Sequence, residues 1–116
     1  MWRISTTDTF DAWYERLTDT DRASVLASML VLQWLGPTLG RPHADSVKGS
    51  AYSNMKELRI QSGGQPLRAF FAFDPERVGI LLCAGNKARN EKRFYEEMIA
   101  IADREYAAHL KALRKR

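Results

Sequence analysis

Residues 55–95 decide the fold, and they read MKELRIQ, SGGQ, PLRAFFAFD, PER, VGILLCAG and NKARNEKRFY in succession. Three runs rich in apolar, β-branched and aromatic residues alternate with turns that contain glycine or proline. This spacing is typical of short antiparallel strands joined by tight turns. After the last run, Asn90 can cap a helix that passes Phe94 and Met98 and continues toward Leu113. The stretch predicts a meander of strands and a C-terminal helix, and such a sheet needs cover on one face.

Length and composition favour one domain over residues 1–116, because 116 residues with 45% hydrophobic content suffice for a single core. Cys83 is the lone cysteine and lies in an apolar run, so it forms no intramolecular disulfide and suits a reducing compartment. The amino terminus lacks the pattern of a secretory signal. The longest apolar-rich stretch, SVLASMLVLQWLG, is shorter than the about 20 residues of a spanning helix. We therefore expect a cytoplasmic protein without a membrane partner.

Positive charge is concentrated in the middle of the chain. Residues 41–93 hold ten Lys or Arg against five acids, residues 1–40 hold three against five, and residues 94–116 hold five against four. A positive field over the sheet and its flanks suits a polyanion such as RNA, DNA or an acidic protein. An ordinary solvated basic surface would have the same composition.

The amino-terminal third predicts a short strand and two helices. Residues 2–6 alternate weakly as a strand, and Asp8 or Thr9 can cap the helix that follows. Thr18 opens a second helix in a capping-box pattern, and that helix ends at Leu35 before a Gly-Pro pair. The segment is expected to form a helical hairpin that covers one face of the sheet.

The second helix is apolar on more than one side. The residues of its main apolar face recur at helical spacing; they are Ala23, Leu26, Ala27, Leu30, Val31 and Trp34. Further apolar residues widen this face, namely Val25, Met29 and Leu32. This helix should contact both the sheet and a neighbouring helix or partner chain. Residues 36–54 are rich in glycine and proline and are predicted to be a surface loop. His43 in this loop has no second ligand at metal-binding spacing, so a metal site is not expected.

Strand alternation separates a polar side from an apolar side: Glu57, Arg59 and Gln61 against Lys56, Leu58 and Ile60. A simple hairpin that pairs Gln61 with Leu67 would put Arg68 away from Arg59, whereas a bulge forced by Pro66 would change that placement. Alternation alone leaves open whether the two arginines share a face. The run VGILLCAG is apolar on both faces and predicts a central strand with cover on each side.

Four motifs in this order resemble the RelE/ParE superfamily of type II toxin–antitoxin proteins, and most closely its HigB-like, phage-derived branch. They are LGRPHADSVKGS, MKELRIQ, LRAFFAFDP and the segment from Gly85-Asn86-Lys87 to Phe94-Tyr95-Glu96. The resemblance implies an α+β fold: a small, mostly antiparallel twisted sheet with two N-terminal helices packed on one face and a C-terminal helix.

The resemblance also implies an activity, which is ribosome-dependent cleavage of mRNA during translation by a metal-independent endoribonuclease without a cofactor. The implied partners are a cognate antitoxin, the ribosome and mRNA, and a higher-order toxin–antitoxin assembly stays open. Two alternatives remain. A ParE-like toxin of the same fold would poison DNA gyrase by binding, and a non-catalytic basic module would bind nucleic acid without chemistry.

The implied reaction is attack of the RNA 2′-hydroxyl on its own phosphate, which needs a base, an acid and positive charge. By resemblance, Arg59 and Arg68 match the strand arginines and would hold the phosphate, because the guanidinium fork grips phosphate oxygens in pairs. Lys87 matches the basic position after the third strand and would stabilise charge or donate a proton. Glu57 shares a strand side with Arg59 and is a candidate general base.

Tyr95 matches the C-terminal tyrosine of the superfamily and would stack on a base or act as acid or base, with its pKa lowered by Lys92 and Arg93. Some members carry a histidine beside this tyrosine, whereas Phe94 and Glu96 stand here, so the proton transfers are unassigned. Contacts to the RNA backbone are expected from five further residues, which are Lys48, Lys56, Arg89, Lys92 and Arg93.

Overall fold

A five-stranded mixed sheet carries helices on both of its faces. The computed structural model describes residues 1–116. The elements in chain order are β1 (Ile4–Thr6), α1 (Asp8–Glu15), α2 (Asp19–Leu35), a 3₁₀ turn (Gly36–Thr38), β2 (Ala44–Ser46), β3 (Lys56–Ser62), β4 (Gln65–Phe73), β5 (Gly79–Asn86) and α3 (Glu91–Arg114). The predicted strands of the meander and the helix capped by Asn90 are confirmed. No helix has the length and apolarity needed to cross a membrane.

The sheet has the strand order β1-β5-β4-β3-β2. Strands β2 to β5 pair antiparallel, and β1 pairs parallel with β5. The expected α+β class with a mostly antiparallel sheet is thus confirmed. The expectation of a loop over residues 36–54 is wrong in part, because β2 lies inside it as an edge strand. Three residues are too few to show alternation, so this strand leaves no periodic signal.

The β3–β4 hairpin closes through a two-residue turn, in which Gly63 and Gly64 have φ of 56° and 80°. Glycine adopts this left-handed conformation without the steric penalty of a Cβ atom. The turn pairs Gln61 with Pro66, so the simple pairing of Gln61 with Leu67 is wrong. Compared with a pairing of Gln61 and Leu67, the observed turn is one residue shorter. The register of β4 therefore differs by one residue, and every β4 side chain lies on the opposite face from the one expected.

The two amino-terminal helices cover one face of the sheet, as expected. The side chains of Thr7 and Thr18 cap α1 and α2, so the expected cap at Asp8 or Thr9 is displaced by one residue or two. The Asp21 carboxylate accepts a hydrogen bond from the Ser62 hydroxyl (2.6 Å) and does not return to its own helix cap. It ties the first turn of α2 to the β3–β4 hairpin.

The side of α2 that faces the sheet is not its main apolar face. Val25 and Leu32 are fully buried against the sheet, whereas Leu26, Leu30 and Trp34 are 48%, 55% and 69% exposed. The expectation that α2 contacts the sheet and has a second apolar side is confirmed: Val25 and Leu32 make the contact with the sheet, and much of the face from Ala23 to Trp34 is exposed. Periodicity shows that a helix has two apolar sides but not which one meets the sheet.

Helix α3 covers the opposite face of the sheet, where Ala102 and Tyr106 pack on β4 and β5. The central strand β5 is consequently apolar on both faces, as its sequence predicts. The segment after β2 is fastened to α3 by Asp103, whose carboxylate accepts hydrogen bonds from the Ser50 hydroxyl and the Ala51 amide. This attachment forms a groove between the segment and α3.

Candidate functional site

The hairpin register places Arg59 directly opposite Arg68. Both arginines alternate with residues that pack under α1 and α2, so they lie on the face that carries α3. Glu57 stands two residues before Arg59 and shares this face. The structure therefore answers what alternation left open, because the two-residue turn brings Arg59, Arg68 and Glu57 together.

Glu57 is the centre of the cluster and is only 5% exposed. Its Oε1 accepts a hydrogen bond from the Tyr95 hydroxyl at 2.6 Å and lies 3.7 Å from Nε of Arg68. Its Oε2 lies 3.4 Å from a terminal nitrogen of Arg59. A carboxylate at this depth requires charged or hydrogen-bonding partners, and this one has three. We call Glu57, Arg59, Arg68 and Tyr95 the arginine cluster.

The two guanidinium groups keep unused donor capacity. The Nε atoms of Arg59 and Arg68 are both buried without a hydrogen-bond partner. Arg68 is 8% exposed, and one terminal nitrogen donates to the carbonyl of Leu67 at 2.9 Å. Buried donors without partners are uncommon in folded proteins and mark a site that is not optimised for stability alone.

Asp45 extends the cluster across the sheet edge, where β2 pairs it with Glu57. Its Oδ2 lies 2.9 Å from Nε of Arg41 and 3.3 Å from Arg59. The Ser46 backbone amide, followed by the Arg41 side chain, lowers the pKa of Asp45. Asp45 was not among the expected site residues because its segment was predicted to be a loop. The oppositely charged pair Arg41 and Asp45 at i, i+4 was the available signal.

Lys87 closes the other end of the cluster, just after β5. Its Nζ lies 3.0 Å from Oε1 of Glu91 and 5.9 Å from the centroid of the Tyr95 ring. The hydrogen bond and charge of Lys87 lower the pKa of Glu91. Glu91 is a second neighbour that sequence reasoning missed.

The environment of Tyr95 corrects the expectation of a lowered pKa. Burial, followed by the hydrogen bond and charge of Glu57, raises the pKa of Tyr95 to about 12. Lys92 and Arg93 precede it on the same helix, but Arg93 pairs with Glu97 on the solvent side (2.9 Å). Tyr95 therefore carries its proton near neutral pH and is a hydrogen-bond donor there.

The expected RNA-contact residues divide into three groups. Lys48 and Lys92 line the groove beside Tyr95, and its volume is about 560 Å³. Arg89 and Arg93 line a separate depression at the start of α3. Lys56 lies on the opposite face of β3, where its Nζ donates to the carbonyl of Pro37 at 3.1 Å, so the structure does not bring it to the cluster.

No three His, Cys, Asp or Glu side chains are grouped so that they could hold a metal ion. The lone thiol, Cys83, is buried under α3, and desolvation raises its pKa to about 12. A thiol in this state is a poor nucleophile. The groups at the arginine cluster that can take part in chemistry are consequently its guanidinium, carboxylate and phenol groups and the ammonium group of Lys87.

Solved structures with this architecture are RelE toxins. The isolated E. coli RelE toxin matches with a TM-score of 0.60 at 14% identity, over 86% of this chain and 97% of that one. RelE in the E. coli RelBE toxin–antitoxin complex gives 0.60 at 12% identity, over 77% and 100%. A RelE–RelB complex from Pyrococcus horikoshii gives 0.56 at 12% identity, over 76% and 97%. At these identities the likeness shows the fold alone.

Sequence relatives are more similar. Residues 12–107 match the family described as Phage derived protein Gp49-like (DUF891). The candidate toxin HigB3 of Mycobacterium tuberculosis is 47% identical over 93 residues, which cover 80% of this chain and 80% of that protein. The candidate toxin HigB2 of the same organism is 46% identical over 100 residues, covering 85% of this chain and 50% of HigB2, so the chain spans about half of that relative.

The fold is thus the one that the RelE toxins have. The chain belongs to the Gp49-like family of phage-derived proteins and is HigB-like, as its sequence motifs indicated.

Proposed function

We propose that this toxin is an endoribonuclease that cleaves mRNA on the ribosome, with the arginine cluster as its active site. The observation that carries the proposal is the pair Arg59 and Arg68, held opposite each other around the Glu57 carboxylate. Two guanidinium groups on one face suit a phosphodiester, whose charge rises as it becomes pentacoordinate. The identity of the relatives as HigB candidates and the RelE fold support the same chemistry.

The 2′-hydroxyl of the RNA serves as nucleophile, so the reaction needs no metal-bound water. Glu57 accepts the 2′-hydroxyl proton, because it is the carboxylate that lies against both arginines. The O2′–P bond forms as the P–O5′ bond breaks, which leaves a 2′,3′-cyclic phosphate and a 5′-hydroxyl. The leaving O5′ takes its proton from Tyr95, whose raised pKa keeps the hydroxyl protonated near neutral pH, and Lys87 supplies positive charge beside it.

Formation of the active geometry requires an exchange of partners. In the free protein, the Glu57 carboxylate lies against both arginines and accepts a hydrogen bond from the Tyr95 hydroxyl. An incoming phosphate takes the place of Glu57 on the guanidinium groups, which frees the carboxylate to act as base. The unused Nε donors of both arginines are consistent with a cluster that gains hydrogen bonds when substrate arrives.

Primer extension on a defined message in a cell-free translation reaction tests this proposal. New 5′ ends inside the reading frame, dependent on ribosomes, are expected with the wild-type chain. Arg59→Ala should lower the cleavage rate about 100-fold, the usual cost of removing one group that stabilises transition-state charge. Arg114→Ala is the matched control, because Arg114 lies in the last turn of α3. An intact message with wild-type protein would refute the nuclease proposal.

A cognate antitoxin is the second part of the proposal. Two of the similar structures are RelE bound to RelB. The exposed stripe of Leu26, Leu30 and Trp34, spaced four residues apart on α2, suits an amphipathic helix of such a partner.

Co-purification of the chain with the product of the adjacent gene tests the antitoxin proposal. Leu30→Ser should lower recovery of the partner, whereas Ala107→Ser, at an exposed position of α3, should not. Equal recovery with both variants would exclude the α2 stripe as the contact surface.

A further inference from the structure

The groove beside Tyr95 is a feature that the proposed chemistry leaves unused. It lies between α3 and the segment after β2, has a volume of about 560 Å³, and is lined by Lys48, Gly49, Lys92, Tyr95, Glu96 and Ile99 among others. This volume falls within the range of small-ligand sites, about 300 to 1,000 Å³. Lys48 and Tyr95 also line a smaller depression together with Glu57. The groove therefore continues into the arginine cluster.

Two lysines in the groove have no acidic partner. Lys87 forms an ion pair with Glu91, and Arg93 forms one with Glu97. Lys48 and Lys92, which line the groove, form no ion pair. Unpaired lysines attract phosphate without base preference, because they act as point charges.

One wall of the groove is apolar. Ile99, Ala100 and the Tyr95 ring contribute it. The backbone of Gly49 (φ 91°) comes close to this wall, so that a Cβ there would lie 4.0 Å from Cδ1 of Ile99. An aromatic and aliphatic wall suits the flat face of a nucleobase, and every base has such a face.

The groove also presents one free carboxylate. Both oxygens of Asp103 accept hydrogen bonds from Ser50 and Ala51. Glu96 is exposed and forms no ion pair, so it can accept a hydrogen bond from a ligand. A carboxylate accepts from the exocyclic amino group of a base, and uracil has none.

We propose that this groove is a subsite for one unstacked nucleotide of the message next to the scissile phosphate, with a preference for an amino-bearing base over uracil. Lys48 and Lys92 hold its phosphate, the Tyr95–Ile99 wall packs on its base, and Glu96 reads the base edge. The inference rests on the proposed function, since the neighbouring phosphate is the one held by the arginine cluster.

Binding of non-cleavable dinucleotides to the isolated protein tests the subsite without ribosomes. The probes are 2′-O-methyl ApA and UpU, and the readout is amide chemical shifts in the ¹⁵N-labelled full chain at low salt. ApA should shift the amides of Gly49, Ile99 and Ala100, and should bind about fivefold more tightly than UpU. Glu96→Gln should reduce that ratio toward one, because the amide also offers a donor.

A steric block supplies the matched pair of variants. Ala100 and Ala107 are both exposed on α3, but only Ala100 lines the groove. Ala100→Phe fills the groove without changing its charge and should weaken ApA binding about tenfold or more, whereas Ala107→Phe should leave ApA binding unchanged. Unaltered spectra of the remaining core amides would show that both variants fold.

The outcomes separate the subsite from the nuclease. Absence of ApA shifts in the groove, or equal binding by the Ala100 and Ala107 variants, would overturn the subsite even if the wild-type chain cuts messages on ribosomes. Groove shifts that Ala100→Phe abolishes would support the subsite even if no message is cut.

Discussion

Tyr95→Phe removes one hydroxyl from the centre of the arginine cluster. That hydroxyl donates the shortest hydrogen bond that Glu57 has, at 2.6 Å, whereas the two arginine contacts are 3.4 Å and 3.7 Å. Glu57 is 5% exposed, so water replaces the lost donor poorly. A hydrogen bond to a charged, buried acceptor contributes about 1.5 to 3 kcal/mol. We therefore expect a loss of about 2 kcal/mol, roughly 30-fold in the folding equilibrium.

Urea denaturation followed by tryptophan fluorescence measures this loss as a change in midpoint at constant slope. Tyr52→Phe is the matched control. Tyr52 is half-buried edge-on against Tyr106 (4.8 Å between ring centroids), and its hydroxyl makes no hydrogen bond within the protein, so its removal should cost less than about 0.5 kcal/mol. A double-mutant cycle with Glu57→Gln should give a coupling of about 1 kcal/mol. Equal losses for the two tyrosine variants would refute the assigned role of the Glu57–Tyr95 bond.

Three further predictions follow from the same geometry. Because the folded-state pKa of Tyr95 is raised to about 12 from 10, its contribution to stability is complete below pH 10 and is lost as pH rises toward 12; Tyr95→Phe should show a smaller loss over this interval in urea denaturation at stepped pH. Arg68→Ala should cost about 3 kcal/mol because Arg68 is buried beside Glu57, whereas Arg59→Ala, whose side chain is 35% exposed, should cost less than about 1 kcal/mol in thermal melts. Gly64→Ala should cost about 1 to 2 kcal/mol in the same melts, because its φ of 80° is unfavourable for alanine.

A specific result would contradict each of these three predictions. Parallel pH profiles for wild type and Tyr95→Phe would show that burial and Glu57 do not raise this pKa. Equal destabilisation by Arg59→Ala and Arg68→Ala would contradict the difference in burial. An unchanged melting temperature for Gly64→Ala would contradict the left-handed turn and, with it, the register that brings the arginines together.

The fold was largely predictable because its strands carry strong local signals. The glycine and proline punctuation of residues 55–95 located three strands and the helix capped by Asn90. Strand β2 was not predicted because its three residues are too few to show the alternation of a strand. The orientation of α2 could not be predicted because the helix is apolar on two sides. Only the structure shows that Val25 and Leu32 face the sheet.

The residues of the candidate site could be predicted from the sequence, but their arrangement could not. The family resemblance indicated Arg59, Arg68 and Tyr95, and strand alternation added Glu57. The structure brings all four side chains together in one cluster. Their shared face depends on a one-residue difference in hairpin register, which sequence alternation alone does not fix. The pKa of Tyr95 moved opposite to expectation, because burial and the Glu57 charge outweigh the basic residues before it on α3.

In the proposed function, the arginine cluster holds an mRNA phosphate that is attacked by the neighbouring 2′-hydroxyl of the same RNA. The most direct measurement is cleavage of a ribosome-bound message that carries a single 2′-deoxynucleotide on the 5′ side of a mapped cut. We expect the cut to disappear at this position while other cuts persist, and the all-ribose message to yield a 2′,3′-cyclic phosphate. Undiminished cleavage at the 2′-deoxy position would contradict it.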